Sequence, residues 1–552
     1  MEAISMAAAT IKSQSPERSW PTFRGHPPLI ERGETLEIPD TLSVPQTSSK
    51  ITVPPAYETV YPVSPLAYYL GATIEPGPSA AIETDRTHYP LGTERSLEAD
   101  IERILQKVFV LDCFVRSNGI VKDRLLGHDD LDDALTFDIA ETYSLSLSRR
   151  LDRYLDVSDE VIEPYVPPWP ATAHVPATPE TVELLPYLLG KLTHIKTIAS
   201  TNSASDGHQQ QLTGINSERP GEKSDSIATD ILQSSTRFED PESGIQLLEG
   251  IHPDSLEAIW FGDGITPWAT RGTIEAYRGR LEGDDVSDKS SIRVVCNESP
   301  MLPEIENLEG LYGERDSHPF DVRVEYGVST DRLATLLRSE SVDLFHFIGH
   351  ATPEGLICHD GALDVRTLES VAPRSFMLNA CQSAQQGLAL VERGANCGLA
   401  THSDVVNQQA IRASETVVRF LSRGFMFRSA LWLTRLVNPL DEYVLLGDGT
   451  LTIAPTDGGA PTIYVLDSFE EPFDLCHIDT PILGNALGAT TGPTITDCTF
   501  TTLIPSAYIL PNVTRSQLRE ALQWTAVPIL CNETFHWPSD VGIPETLLHH
   551  FT

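Results

Sequence analysis

The sequence predicts an α/β fold built on a parallel sheet, and three observations predict it. Short apolar runs alternate with helical patterns in the second half of the chain: SIRVVC, FDVRVEY, the helix STDRLATLLRSE, VDLFHFIG, RSFMLN and NCGLATHS. Strands separated in this way pair as parallel neighbours through crossover helices. The length, 552 residues, exceeds what one hydrophobic core supports, so two or three domains are expected. The apolar fraction, 40%, is enough to bury real cores.

Taken in order, residues 1–55 are rich in Pro, Ser and Thr with weak periodicity, and read as a tail or irregular segment. Residues 56–200 read as a mainly helical domain. Leu97, Ile101, Ile104, Leu105, Val108, Leu111 and Val115 recur at helical spacing, with Ser96 placed to cap the first turn. Further helical stretches follow in LDDALTFDIAETYSLSLSRRLDRYLDV and after the Pro-rich VPPWPATAHVPAT. Residues 201–243, poor in apolar side chains, read as a polar linker or loop. Residues 244–455 carry the α/β alternation. Residues 456–552, with TIYVLD, TFTTLIPSAYIL and AVPILC between turns, read as a small β-rich appendage.

The formal charge of -39 gives a negative surface that repels phosphates and anionic headgroups, which excludes nucleic acid and membrane surfaces as partners. Lysine is scarce: the chain has 8, none after Lys289. Dispersed acid excess with little lysine is the composition of proteins from halophilic archaea, where molar salt screens the self-repulsion. The eight cysteines, Cys113, Cys296, Cys358, Cys381, Cys397, Cys476, Cys498 and Cys531, are scattered without a CxxC pair, as in a reducing compartment. No apolar run reaches the roughly 18–20 residues that span a bilayer, and the N-terminus lacks a signal-peptide core, so a cytoplasmic location is expected.

In a parallel sheet, reactive groups collect past the carboxyl ends of the strands. VDLFHFIG delivers His350 to that edge, and SFMLNA delivers Cys381. A thiol of ordinary pKa, about 8.5, is only a few per cent thiolate at neutral pH, so a neighbouring imidazole is what would make it a nucleophile. The same imidazole can return its proton to a leaving amine. The backbone N–H groups of Ala351 and Cys381 are the candidate donors for an oxyanion. No third catalytic residue is identifiable.

FHFIGHA, FMLNACQSA, GANCGLATHSDVVNQQA and YVLLGDGTL together resemble the CHAT family of caspase-like peptidases, which is related to separase, over about 160 residues. The family's His and Cys fall on His350 and Cys381. The resemblance implies a caspase-like three-layer sandwich and endopeptidase activity on a protein substrate; no cofactor is expected, and the N-terminal region or an activating sensor protein is the expected source of control. The caspase signature QAC[RQG]G is not met: NACQS follows its His by 31 residues, which sets this chain apart from caspases proper. Relatives that cut after a basic residue carry an acidic side chain beyond the next strand. Asp404 and Asn407 are both in register for that place, and Asn407 would remove the selecting charge.

Blander readings stand beside these. Cys113, Cys296 and Cys397 read as core residues. His346, His350, Cys358 and His359 could suggest zinc, but His346 and His350 lie roughly 13 Å apart along a strand, too far to share one ion, so no metal is expected. The GDG triplets at Gly262 and Gly447 lack phosphate-loop spacing and read as turns. Cys476 and His477, adjacent on a strand, point to opposite faces. The rival function is a caspase-like scaffold without activity that binds a peptide or partner protein; the reactivity of the Cys381 thiol separates the two.

Overall fold

A computed structural model describes residues 1–198, 255–266, 268–282, 288–297, 318–405, 407–438, 440–456, 459–466, 471–481, 487–493, 495, 500–524 and 527–537. These fall into two compact units. The first gathers residues of Met1–Asp206, Asp254–Leu256 and Asn485–Ser506; the second is built from Glu257–Gly484 and Ala507–Thr552. The stretch 456–552 is therefore divided between the units, and the polar stretch 201–243 lies outside the described residues.

The first unit is more mixed than a helical bundle. Strands β1 (Lys50–Val53), β2 (Thr73–Pro76), β3 (Ala81–Glu83) and β4 (His88–Pro90) form a sheet in the order β2-β1-β3-β4. Strands of three or four residues are too short to print a period-two pattern in the sequence. Helices α1 (Tyr57–Leu70) and α2 (Leu97–Val115) supply much of the core, and the Ser96 hydroxyl accepts from the Ala99 N–H at 3.2 Å, as its capping position predicts. A parallel pair, β5 (Thr172–Pro176) and β6 (His194–Ile198), completes it.

Residues 1–55 are not a loose tail: short helical turns at Glu2–Ser5, Met6–Thr10, Pro16–Ser19 and Pro21–Arg24 carry buried side chains, Arg18 and Arg24 among them. The cause is a buried charge on α2. Asp112 accepts from Arg18 Nε at 2.8 Å, Tyr69 Oη at 3.0 Å and Tyr154 Oη at 3.1 Å, with Arg150 Nε at 3.6 Å. Burial and the nearby carboxylate push both tyrosines well above their ordinary pKa, so they stay donors. Two further buried arginines reach across the sequence to Asn485–Ser506. Arg24 Nη2 donates to the Leu487 carbonyl at 2.5 Å and Arg116 Nη2 to that of Gly488 at 2.6 Å. Gly488 has φ +92°, and a Cβ there would lie 2.2 Å from the Ser19 carbonyl oxygen. Only glycine fits this close approach.

In the second unit the strands are β7 (Ala258–Trp260), β8 (Ala269–Arg271), β9 (Ser290–Cys296), β10 (Phe320–Tyr326), β11 (Leu344–Ile348), the hairpin strands β12 (Ala351–Thr352), β13 (Gly355–Cys358) and β14 (Gly361–Leu363), then β15 (Ser375–Asn379), β16 (Cys397–Thr401) and β17 (Tyr443–Gly447). The main sheet runs β10-β9-β11-β15-β16-β17-β8-β7, parallel throughout except between β16 and β17. Alternate residues feed two cores. Val295, Phe345, Phe347, Phe376 and Leu378 pack with helices α3 (Thr330–Ser339) and α4 (Ala384–Glu392). Ile292, Val294, Leu344, Ile348, Met377 and Leu399 pack with α5 (Asn407–Ser422) and α6 (Phe427–Arg435). Helices lie on both faces of this mostly parallel sheet, the parallel sheet with crossover helices that the strand and helix alternation predicts.

A second sheet follows in the spatial order Ser506–Val513, Phe473–Asp479, Thr462–Leu466, Ile529–Cys531, Thr534–His536. Its Ile463, Val465, Cys476, Ile478, Leu530 and Phe535 belong to the same core cluster as α5 and α6. It is part of the unit's packing rather than an appendage. Among the described residues, no helix is long and apolar enough to cross a membrane.

His346 sits in the middle of β11, opposite Val294 and Met377, with no exposed surface and neither ring nitrogen hydrogen-bonded. Burial lowers its pKa from 6.5 to about 3. The unfolded chain therefore takes up a proton below about pH 6.5 that the fold refuses, so stability is complete above that pH and falls as the solution is acidified toward 3. The expected slope approaches about 1.4 kcal/mol per pH unit. Urea unfolding at pH 7, 6 and 5 should show it, and His346→Leu should flatten that part of the profile; an unchanged slope in the variant would refute the assignment.

Candidate active site

Strands β11 and β15 are buried along their whole length and pair in parallel, with Ile348 opposite Asn379. The Gly349 N–H donates to the Asn379 carbonyl at 3.3 Å, extending the ladder by one step. His350 lies two residues past Ile348 and Cys381 two residues past Asn379, so the register brings both to the same height at the carboxyl edge of strands that run about 4.8 Å apart. His350 is exposed and Cys381 half-buried. The other described cysteines are buried. Burial pushes the Cys358 thiol up to about 11, with Asp360 adding to the effect, and it also raises Cys113 and Cys397. Such thiols stay protonated and unreactive.

The chain reverses sharply after Cys381. Gln382 has φ +53°, a left-handed conformation that non-glycine residues adopt only when their surroundings hold them there. Those surroundings are the end of β16 and the segment beyond it. Thr401, fully buried, donates from Oγ1 to the Ala380 carbonyl at 2.6 Å, and its N–H donates to Ser383 Oγ at 3.1 Å. Gln382 N–H donates to the Ser403 carbonyl at 3.2 Å, and its Nε2 to Asp404 Oδ1 at 3.1 Å. The Val405 N–H points at Cys381 Sγ from 3.4 Å, and Sγ lies 3.8 Å from the Val405 carbonyl. Beneath the loop, Tyr443 Oη donates to Asn379 Oδ1 at 2.8 Å. Helix α4 begins three residues after Cys381, and Gly387 lets it seat on the sheet: a Cβ there would lie 2.7 Å from Leu446 and 2.9 Å from Ala400.

On the other side, His350 leads directly into the three-stranded hairpin β12-β13-β14. The Ile357 N–H donates to the His350 carbonyl at 2.9 Å, which makes these two a hydrogen-bonded pair. The next pair, Ala351 and Leu356, is then the open kind, so the Ala351 N–H points away from β13. Asn297, just past β9, holds the hairpin from below: its Nδ2 donates to the Ile357 carbonyl at 3.1 Å, while its Oδ1 accepts from Val328 N–H at 2.8 Å.

Of the two candidate specificity residues, Asp404 is exposed in the segment that bonds the Cys381 loop. Asn407 is the first residue of α5. His346 lies inside the core, away from the edge that carries His350. Among the described residues, no group of three or more His, Cys, Asp or Glu side chains is placed to hold a metal ion. Thr401, Asn297 and Tyr443, which position the two loops, carry no sequence signal of their own. Their roles depend on hydrogen bonds to residues far along the chain.

No protein-family model matches the sequence. A search of curated proteins also finds no match. Among solved structures, the chain is similar to Saccharomyces cerevisiae separase in two crystal structures of its complex with securin. The figures are 14% and 15% identity over 35% of this chain, 15% and 16% of the separase chain, and a TM-score of 0.27 in each. It is also similar to the complex of the pro- and mature domains of Porphyromonas gingivalis RgpB, at 11% identity over 62% of this chain and 94% of that one, TM-score 0.34. The chain thus spans about 15% of the separase chain's length.

Proposed function

We propose that this chain is a cysteine endopeptidase of the caspase-like kind, with His350 and Cys381 as its catalytic pair and a protein as substrate. The observation that carries this reading is the register of β11 and β15, which sets an exposed imidazole and a half-buried thiol at equal height on adjacent strand ends. His350 takes the thiol proton, and the sulfur attacks the peptide carbonyl carbon. The oxyanion is received by the N–H groups of Ala351 and Cys381. Collapse of the adduct breaks the C–N bond, and the imidazolium gives its proton to the departing amine. Water, deprotonated by the same imidazole, then releases the acyl group and restores the thiol.

Asp404 is open to solvent beside this loop and would favour an Arg or Lys side chain before the cut; Asn407 is the neutral alternative. The first unit, or a sensor protein, is the proposed source of control.

Alkylation of Cys381 tests the pair without a known substrate. With iodoacetamide at pH 7 in high salt, His350→Ala should slow modification of Cys381 by about tenfold or more, because the imidazole that takes the thiol proton is gone. Mass spectrometry of the Cys381 peptide gives the rate. A wild-type rate no faster than that of free cysteine would leave a peptide-binding scaffold as the better account.

A further inference from the structure

Gln386 occupies the first turn of α4, five residues after Cys381, and has no exposed surface. Burying a primary amide is unfavourable unless both ends of it are hydrogen-bonded. Here both ends are, and all three partners lie at one end of the hairpin that follows His350. Nε2 donates to the Pro353 carbonyl at 3.0 Å and to Asp364 Oδ1 at 3.3 Å, and Oε1 accepts from the Val365 N–H at 2.8 Å. Pro353 lies in the turn between β12 and β13, and Asp364 and Val365 follow β14. Arg366 tightens the same knot, donating to Asp364 Oδ1 at 2.8 Å and to the Pro353 carbonyl at 3.1 Å.

We propose that Gln386 is a positioning residue that sets the separation of the Cys381 sulfur and the His350 ring by clamping the His350 hairpin to the helix that follows Cys381. The proposal rests on the reading of His350 and Cys381 as the catalytic pair. The line of force is short. Cys381 is joined to α4 through the loop that Thr401 holds, α4 carries Gln386, Gln386 fixes the turn between β12 and β13 and the exit from β14 side by side at one end of the hairpin, and the hairpin begins at the residue after His350. An apolar residue of similar volume would fill the same space, but it would leave the hairpin free to shift against the helix. A displacement of about 1 Å between reacting groups is enough to lower a rate by about 10²-fold.

The chemistry of the knot gives a test that packing alone would not reproduce. In Gln386→Glu the new carboxylate would face the Pro353 carbonyl and the Asp364 carboxylate, two acceptors where the amide had offered N–H groups. Adding Asp364→Asn returns a donor to the pair from the other side. Iodoacetamide alkylation of Cys381, followed from pH 5 to 9 in high salt, is the readout, with thermal unfolding as the measure of folding. Gln386→Ala and Gln386→Glu should each slow alkylation at pH 7 by about tenfold or more. Gln386→Glu with Asp364→Asn should recover most of the loss.

If the single variants are folded and keep the wild-type rate and profile, or if the double variant recovers nothing, the positioning role is overturned while the catalytic pair stands. If the wild-type thiol itself reacts like free cysteine, both fall together. Should Gln386→Ala fail to fold, the comparison of Gln386→Glu with the double variant decides alone.

Discussion

Cys381→Ala should give a folded protein that no longer cuts peptides. Among the described residues the half-buried thiol has the Val405 backbone as its hydrogen-bonding neighbour, so its removal opens little space and leaves no charge stranded. The stability change should stay within about 1 kcal/mol. The chemical consequence is of another order: without sulfur no acyl-enzyme forms, and the N–H groups of Ala351 and residue 381 can only polarise a carbonyl that nothing attacks. A loss of about 10⁴-fold or more is expected. Hydrolysis of a mixed peptide library in high salt, read by mass spectrometry alongside any cutting of the chain itself, measures it. Cleavage at the wild-type rate by the folded variant would end the endopeptidase reading.

The largest effect on stability is expected at Asp112→Ala. Its carboxylate, with no exposed surface, is the acceptor for the equally buried Arg18 and the anchor for Tyr69 and Tyr154, with Arg150 close by. Alanine would leave two guanidinium groups in the core of the first unit without their counter-charge. Breaking one side of a buried ion pair costs about 3–5 kcal/mol, because the remaining charge cannot be resolvated in place. Urea unfolding should show a transition of the first unit moved to much lower denaturant or lost altogether. Asp112→Asn, which keeps an acceptor oxygen, should be milder. A shift below about 1 kcal/mol for the alanine variant would show that water reaches these arginines.

What could be read in the sequence is what local pattern encodes. The alternation of VDLFHFIG and SFMLNA with helical segments located β11 and β15, and with them His350 and Cys381 at a common edge. Helix α2 and its Ser96 cap followed from spacing that repeats every three or four residues. The remainder depends on pairs distant in sequence. Arg18 meets Asp112 across 94 residues, and Arg116 meets Gly488 across 372. Nothing in the composition of residues 1–55 reveals that their arginines have partners there, which is why that segment reads as a tail. The three- and four-residue strands β1 to β4 are below the length at which alternation is distinguishable from chance. Gln386 is equally silent, because a glutamine in an amphipathic helix ordinarily faces water.

The capture of Leu487 and Gly488 by Arg24 and Arg116 also fixes an order of events during synthesis. At about 5–20 residues per second, roughly 20–75 s separate the translation of Arg116 from that of Gly488, 372 residues later. Throughout that interval the segment that bears Arg24 and Arg116, although made earlier, lacks the carbonyl groups that its two arginines require. The strands bearing His350 and Cys381 are synthesised within that interval, so the buried arginines of the earlier segment meet these partners only after those strands exist.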